Sequence, residues 1–149
     1  MLTGTMTTSV TATARPEAVV MVGYPGAGKT TIARGVFEAA GYWRVDGDMY
    51  GTVAKMLKRA DEGLSSGCLS VVFDSTGGSL TRRAAFVGWA RAVGLPVRAV
   101  WVATPLEESL RRNAGRVTAV PPIALYAYRK HFDEPTVAEG FEEIVRLVE

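Results

Sequence analysis

The stretch GYPGAGKT, from Gly23 to Thr30, constrains the fold of this chain more than any other part of its sequence. It follows a compact apolar run, Ala18–Val22, and it opens a segment with helical character. Its spacing satisfies the pattern G-x-x-x-x-G-K-[ST], in which glycines allow a tight turn and successive backbone N–H groups point at a phosphate. This mechanism needs the loop to lie between a buried strand and a helix. The sequence therefore predicts a loop that binds the phosphates of a nucleoside triphosphate.

The residues of this loop are expected to bind ATP together with Mg²⁺. Lys29 is expected to reach the β- and γ-phosphates, and the hydroxyl of Thr30 is expected to ligate Mg²⁺. The expected nucleotide-binding residues are Gly23, Gly26, Ala27, Gly28, Lys29, Thr30 and Thr31.

Apolar strands alternate with helical segments along the rest of the chain. The strands are expected at Ala18–Val22, in YWRV, at Leu69–Phe73 and at Val97–Ala103. The helices are expected from the loop to Gly41, from about Met49 to Leu64, from Ser79 to Val93, from Thr104 onward, and from about Ile123 to Phe132. Thr104, Pro105 and Glu107 form a helix start with a capping box. This alternation predicts an α/β fold, with a parallel sheet covered by helices on both faces.

The composition is that of an ordinary globular protein, with 48% hydrophobic and 21% charged residues. The 149 residues suffice for one well-buried domain. The Thr-rich start, MLTGTMTTSVTATA, lacks a basic region and a continuous apolar core, so it does not resemble a signal peptide. We expect a disordered leader over residues 1–15 and a single domain over residues 16–149.

Cysteine usage, hydropathy and charge bear on location and partners. Cys68 is the only cysteine, which favours a reducing, intracellular and therefore cytoplasmic setting. No apolar run approaches the ~18 residues of a membrane span, so no membrane partner is expected. The net charge is +2, and several arginines cluster in the second half of the chain. That cluster suits a polyanionic ligand, and solvated helix faces would explain it equally well.

The segment WRVDGDMYGT, from Trp43 to Thr52, places two carboxylates two residues apart after a short strand. An Asp-x-Asp pair there is typical of the metal-binding nucleophile of a phosphatase, and it also suits a kinase with one catalytic base. A phosphatase of this type needs a downstream lysine and a later acidic pair, and no paired acidic loop follows a late strand in this sequence. The pattern therefore favours a kinase.

A kinase needs one carboxylate that faces the γ-phosphate and accepts the proton of the attacking hydroxyl. We expect Asp48 to be this base, although a cap of the following helix would also explain its position. Asp46 is expected to be structural or to accept a hydrogen bond from the substrate.

Further segments extend these observations over most of the chain. They are VGYPGAGKTTIA, VDGDMYGT, ARAVGLPVRAVWV and YAYRKHFDEPTVAEGF, and they fall in this order between Val19 and Phe141. Together they resemble the kinase domain of polynucleotide kinase 3′-phosphatase, and the spacing in RRNAGR resembles the lid of phage polynucleotide kinase. The resemblance implies ATP-dependent phosphorylation of the 5′-hydroxyl of DNA or RNA, in nucleic-acid repair. It also implies that residues 16–149 form a P-loop kinase domain of the nucleoside-kinase type, with a mobile arginine lid.

The resemblance assigns roles to particular residues. Lys29 and Thr30 match the loop lysine and hydroxyl, and Asp48 matches the general base. Arg112 and Arg116 match the lid arginines, which would meet the charge that phosphoryl transfer spreads over the γ-oxygens. Arg112 and Arg116 are four residues apart, so on a helix they would share one face. Basic residues at the end of a helix, where they interact favourably with the helix dipole, would give the same sequence pattern.

Two more matched residues are less distinctive. Asp74, after the strand LSVVF, matches an acidic position that could orient Thr30 or Mg²⁺-bound water. Arg83 matches an arginine near the substrate groove, and a solvated helix face explains it equally well.

The sequence departs from the family pattern at four positions. Gly77 stands where relatives have Asn, Asp46 and Gly47 stand where they commonly have Asn and Arg, and Gly51 replaces a further arginine of the phage enzyme. The loss of two positive groups should weaken contacts with the phosphates of an acceptor strand. Two other functions stay open: a kinase for a sugar, antibiotic or nucleoside on the same scaffold, and a non-catalytic nucleotide-binding module.

Overall fold

A parallel sheet forms the centre of the molecule. The computed structural model describes residues 5–7, 9–117 and 119–148. Its strands are β1 (Thr5–Thr7), β2 (Ala18–Val22), β3 (Trp43–Asp46), β4 (Val71–Asp74), β5 (Val97–Val102) and β6 (Glu143–Leu147). Their order across the sheet is β1-β6-β5-β2-β4-β3, and all neighbouring strands are parallel. The predicted parallel α/β fold is confirmed.

Helices connect the strands and cover the sheet. They are α1 (Lys29–Ile32), which continues as a π-helical segment over Ala33–Phe37 and a 3-10 turn over Glu38–Ala40, α2 (Gly47–Tyr50), α3 (Val53–Ser65), α4 (Leu80–Ala92), α5 (Leu106–Ala114) and α6 (Pro122–Lys130). A second 3-10 turn covers Val137–Glu139. Within the described ranges, no helix has the length and apolar character that crossing a membrane requires.

The sheet is covered on both faces, and β2 and β4 are buried along their whole length, as central parallel strands usually are. On one face Val20 and Phe73 pack with Phe86 of α4. On the other face Val19 packs with Phe37, which follows α1. The loops that leave the carboxyl ends of β2, β3 and β4 therefore emerge at one edge, between two covered faces.

Two elements differ from the sequence prediction. The helix expected from Met49 to Leu64 is divided into α2 and α3, because Gly51 has a φ of 74° and the Thr52 side chain caps α3. The strand β6 was not predicted, since its apolar residues alternate irregularly with the exposed Glu143 and the half-buried Arg146.

The segment before β2 contacts the folded domain. Backbone pairing places Thr5 beside Val145 in β6. Farther along, the Thr11 carbonyl accepts a hydrogen bond from Arg98 Nη2 at 3.0 Å. This placement differs from the disorder expected there, while residues 1–4 and 8 lie outside the described residues. The domain boundary near residue 15 stays a prediction.

Two helical glycines test the packing of α3 against β3. A Cβ on Gly63 would overlap the Trp43 ring, whereas a Cβ on Gly88 of α4 meets nothing within 4 Å. We expect Gly63→Ala to lower the free energy of unfolding by about 1–3 kcal/mol through overpacking. The matched control Gly88→Ala should raise it by about 0.5–1 kcal/mol, because Ala loses less backbone entropy in a helix. Chemical denaturation measures both changes, and equal effects would contradict the close contact of Trp43 with α3.

Candidate active site

The phosphate-binding loop wraps over the carboxyl end of β2. Gly26 and Gly28 have φ values of 83° and 106°, in the left-handed region that favours glycine. A Cβ on Gly26 would also lie 2.9 Å from the carbonyl oxygen of Ser109 in α5. The Gly23 N–H donates to the carbonyl oxygen of Thr76 at 3.0 Å, which ties the loop to the segment after β4. Glycine is therefore required both for the turn and for the close approach of α5.

Lys29 is buried at the start of α1. Its Nζ donates a hydrogen bond to the carbonyl oxygen of Tyr24 at 2.8 Å. Burial lowers the pKa of Lys29 to about 8, although the nearby carboxylates of Asp74 and Asp48 act in the opposite direction. A desolvated ammonium group of this kind gains stability when a phosphate comes close, which suits the predicted role.

The carboxylate of Asp74 joins three elements at the floor of the site. Its Oδ2 accepts a hydrogen bond from the Thr30 hydroxyl at 3.0 Å. It also accepts from Nε and Nη2 of Arg44, in β3, at 2.9 and 2.8 Å. The sequence analysis missed Arg44, because a single basic residue in a short strand carries no motif signal. Its position opposite the end of β4 could have been found only from the strand pairing.

Thr30 and Asp74 are the residues that could hold Mg²⁺. This ion prefers oxygen ligands, and proteins usually bind it through one or two side chains together with phosphates and water. The hydrogen bond between Thr30 and Asp74 brings both kinds of oxygen to the same small volume. The described residues contain no group of three or more acidic, His or Cys side chains that could form an all-protein cage. The donor set therefore fits an ion that is shared with the phosphates of a nucleotide.

Asp46 and Asp48 have different environments. Asp46 is the N-cap of α2, where its Oδ1 accepts a hydrogen bond from the Asp48 N–H at 2.9 Å. Its Oδ2 lies 3.5 Å from Arg44 Nη2. Asp48 lies in the first turn of α2, and its side chain is 86% exposed. The capping role that would have explained Asp48 thus belongs to Asp46, and the Asp48 carboxylate is open to solvent.

Close packing explains the glycine at two of the positions where this sequence departs from the family pattern, Gly47 and Gly77. A Cβ on Gly47 would lie 2.8 Å from the Cβ of Ser75, so a larger residue there would displace Ser75. Gly77 has a φ of 55°, and a Cβ on it would lie 2.5 Å from the carbonyl oxygen of Met21. This chain therefore needs glycine at both positions.

Arg112 and Arg116 approach the loop and α2 respectively. Arg112 Nη1 donates to the carbonyl oxygen of Ala27 at 3.1 Å, and its Nε donates to Glu108 at 3.2 Å. Arg116 Nη2 lies 3.8 Å from Asp48 Oδ2. The expectation that both arginines share one helix face is wrong, because α5 ends at Ala114 and Arg116 follows it.

The start of α5 also differs from the prediction. Helix α5 begins at Leu106, with Pro105 before it, so Thr104 does not cap it. The Thr104 hydroxyl instead donates to the carbonyl oxygen of Ala27 at 2.8 Å. The predicted capping box is therefore wrong, and Thr104 fastens α5 to the phosphate-binding loop.

A cavity of about 620 Å³ lies between these elements. Its lining includes Gly26, Gly28, Lys29, Thr30, Thr31, Arg34, Arg44, Asp46, Asp48, Asp74, Arg112 and Arg116. Gly23 and Ala27 are not part of the lining; they hold the loop and α5 through their backbone groups. The structure thus brings the six predicted catalytic and metal-binding residues to one cavity: Lys29, Thr30, Asp48, Asp74, Arg112 and Arg116.

Arg83 does not belong to this cavity. It is fully buried, and its Nε and Nη2 donate to the two carboxylate oxygens of Glu139 at 2.8 and 3.0 Å. Its Nη1 donates to the carbonyl oxygen of Gly77 at 2.9 Å. Both expectations for Arg83, a substrate contact and a solvated helix face, are wrong, because its donors are turned inward to protein oxygens.

Comparison with known proteins defines the family. A family model described as an AAA domain matches residues 49–135, which is more than half of the chain. The chain belongs to this AAA domain family. A model described as Zeta toxin matches residues 3–62, which include the phosphate-binding loop and overlap the AAA match from residue 49 onward.

Curated relatives match most of the chain. A bifunctional polynucleotide phosphatase/kinase of Schizosaccharomyces pombe is 32% identical over 133 residues, which cover 86% of the chain and 32% of that protein. A relative from Acanthamoeba polyphaga mimivirus, named for the same two activities, is 33% identical over 138 residues, with 87% and 32% covered. The chain spans about a third of the length of these relatives. The resemblance found from the sequence is confirmed.

Solved structures share the fold of this chain. Kti12 of Chaetomium thermophilum, in complex with ADP-AlF3, has a TM-score of 0.67 and 15% identity, with 88% of each chain covered. A gluconokinase of Sinorhizobium meliloti 1021 has a TM-score of 0.62 and 19% identity, with 88% of this chain and 81% of the other covered. APS kinase CysC of Mycobacterium tuberculosis, in complex with AMPPNP and APS, has a TM-score of 0.58 and 19% identity, with 89% and 88% covered. The predicted P-loop fold is confirmed.

The buried pair of Arg83 and Glu139 generates a test of its structural role. We expect Arg83→Gln to lower the free energy of unfolding of the chain by about 3–5 kcal/mol, because Glu139 would keep a buried charge without its partner. Arg111→Gln is the control, since Arg111 forms an exposed pair with Glu108 and its removal should leave stability nearly unchanged. Chemical denaturation measures both variants. An Arg83→Gln variant of normal stability would contradict the structural role.

Proposed function

We propose that the chain transfers the γ-phosphoryl group of ATP to the 5′-hydroxyl of a DNA or RNA end. The observation that carries this proposal is the exposed carboxylate of Asp48, which lines the same cavity as the buried Lys29 and the Thr30–Asp74 pair. The names of the curated relatives support a polynucleotide as the acceptor.

The loop binds the donor. The backbone N–H groups from Gly26 to Thr31 face the phosphates, and Lys29 exchanges its hydrogen bond with the Tyr24 carbonyl for one with a phosphate oxygen. Burial lowers the pKa of Lys29 in the protein without nucleotide. The negative charge of a bound phosphate raises this pKa again. Mg²⁺, held by Thr30 and through water by Asp74, would neutralise part of the charge on the phosphates.

Asp48 activates the acceptor. Because its carboxylate is open to solvent, a 5′-hydroxyl can approach it without any rearrangement of the core. Asp48 accepts the proton of the hydroxyl while the oxygen attacks the γ-phosphorus, and the bond between that phosphorus and the β–γ bridging oxygen breaks to leave ADP. Asp46 keeps α2 in place for this step, through its cap and its contact with Arg44.

The lid arginines meet the charge of the transferring group. Arg112 lies against the loop at the Ala27 carbonyl, and Arg116 lies 3.8 Å from the Asp48 carboxylate. Guanidinium groups on these two sides of the cavity stabilise the equatorial oxygens of the phosphoryl group as it passes between donor and acceptor. Arg116 follows the end of α5, so its side chain can leave Asp48 for the phosphoryl group without unfolding a helix.

A transfer assay with labelled ATP tests the proposal. The acceptors are 5′-hydroxyl DNA, 5′-hydroxyl RNA, a nucleoside panel and simple sugars, and Lys29→Ala serves as the blank because it removes the phosphate ligand. We expect label on 5′ ends and none on nucleosides or sugars. Transfer to a nucleoside or sugar with the higher kcat/KM would instead make the chain a small-molecule kinase. Binding of ATP without transfer to any acceptor would make it a nucleotide-binding module.

The two aspartates supply a sharper comparison. We expect Asp48→Asn to bind ATP normally and to lose about 10²- to 10⁴-fold in transfer rate, because an amide cannot accept the hydroxyl proton. Asp46→Asn should lose much less, since Asn caps a helix as well as Asp does. ATP affinity, melting temperature and 5′-end phosphorylation are measured side by side for both variants. A severe loss in Asp46→Asn with near-full activity in Asp48→Asn would overturn the assignment of the base.

A further inference from the structure

Asn113 is a buried amide in the last turn of α5, beside the phosphate-binding loop. Its side chain and backbone are only 2% exposed, and a Cβ on Gly26 would lie 3.2 Å from its backbone nitrogen. An amide hidden from water is unfavourable unless both its oxygen and its NH₂ group have hydrogen-bond partners. An apolar residue would not need such partners, so the partners of this amide indicate what it does.

Both polar atoms of the Asn113 amide contact the backbone of one residue, Val120. Asn113 Nδ2 donates to the Val120 carbonyl oxygen at 2.7 Å, and Asn113 Oδ1 accepts from the Val120 N–H at 3.0 Å. The opposite orientation of the amide would place donor against donor and acceptor against acceptor. These two hydrogen bonds close residues 113–120 into a ring, which we call the lid ring, and Arg116 lies within it.

The lid ring is not held by the hydrophobic core. Its described residues from 114 to 119 are exposed, except for the half-buried Arg116. The Arg116 N–H donates to the carbonyl oxygen of Asn113 at 3.1 Å, which extends the last turn of α5 as far as Arg116. The order of the chain beyond Arg116 therefore depends on the contact between Val120 and Asn113.

Two prolines make Val120 the natural end of the lid ring. Pro121 and Pro122 follow it and have no backbone N–H, so Val120 carries the last backbone donor before Ile123. Their fixed φ angles also stiffen the entry into α6, which begins at Pro122. A contact at Val120 therefore fixes the whole connection between α5 and α6.

We propose that Asn113 is the positioning residue for Arg116. By closing the lid ring it holds the backbone of Arg116 at the cavity, so that only the arginine side chain moves during phosphoryl transfer. This inference rests on the proposed function and adds how the lid arginine is kept in reach of the reacting group.

The physical gain is a smaller loss of conformational entropy when Arg116 meets the phosphoryl group. Helix α5 is fastened to the phosphate-binding loop through the carbonyl oxygen of Ala27, so the lid ring and the loop form one frame. Arg116 Nη2 lies 3.8 Å from Asp48 Oδ2, and its side chain exchanges this contact for an oxygen of the phosphoryl group. An arginine on an ordered ring loses less freedom in that step than one on an open loop.

A nitroxide label on the lid ring tests the inference without any need for turnover. Val117 is fully exposed, so Val117→Cys carries the label into solvent, and Cys68→Ser removes the only other thiol. In this background, electron paramagnetic resonance should show faster label motion in Asn113→Ala. The matched control is Val120→Ala, which keeps both backbone contacts with Asn113 and should leave the label motion unchanged.

A second variant guards against loss of folding in Asn113→Ala. Asn113→Asp keeps the size of the side chain and the acceptor for the Val120 N–H, but it cannot donate to the Val120 carbonyl oxygen. We expect faster label motion in this variant as well, because two oxygens would then face each other.

A double-mutant cycle shows whether Asn113 acts through Arg116. We expect Asn113→Ala to lower kcat about 10²-fold through misplacement of the arginine, and to leave the affinity for ATP nearly unchanged. Arg116→Ala should lower kcat on the order of 10³-fold. The double variant should be no slower than Arg116→Ala, because Asn113 then has nothing left to position. A merely structural Asn113 would slow both backgrounds by the same factor.

The two measurements separate the inference from the proposed function. Unchanged label motion in folded Asn113 variants would overturn the inference whatever the activity, and so would additive losses of kcat in the double variant. A wild-type chain that transfers phosphate to no acceptor would refute the proposed function. The label comparison would then still decide whether Asn113 orders the segment that carries Arg116.

Discussion

The register between β3 and β4 determines where the polar groups of the cavity lie. Asp46 is paired with Asp74 across the two strands, so both carboxylates leave the sheet at the same edge. Two neighbouring carboxylates repel each other unless a cation lies between them, and Arg44 contacts both. Because Asp74 also accepts the hydrogen bond of Thr30, the same contact orients the start of α1. A shift of one residue in this pairing would turn the side chains of β3 to the opposite face.

The carbonyl oxygen of Ala27 has a similar role on the other side of the loop. It accepts hydrogen bonds from Thr104, before α5, and from Arg112, within α5. Helix α5 therefore rests on the phosphate-binding loop. The cavity between them is lined by five cationic side chains, Lys29, Arg34, Arg44, Arg112 and Arg116, and by three acidic ones, Asp46, Asp48 and Asp74. This excess of positive charge suits a triphosphate.

The fold alone does not decide what receives the phosphoryl group. A gluconokinase and an APS kinase have the same architecture, at identities that carry no information about substrate. In this chain an acceptor would have to approach from the open side of the cavity, where the carboxylate of Asp48 is exposed.

The sequence by itself determined the phosphate-binding loop, the alternation of strands and helices and the approximate position of the aspartate pair, because these depend on neighbouring residues and on local periodicity. It predicted Asp48 as the base with a helix cap as the alternative, and it misjudged Arg83, whose partner Glu139 lies 56 positions away. Arg44 likewise depends on Asp74, 30 positions along the chain. Only the tertiary structure decided that Asp46 caps α2 and which carboxylates Arg44 and Arg83 contact, since the environment of a charged side chain depends on which distant segments pack against it, and local sequence does not contain that information.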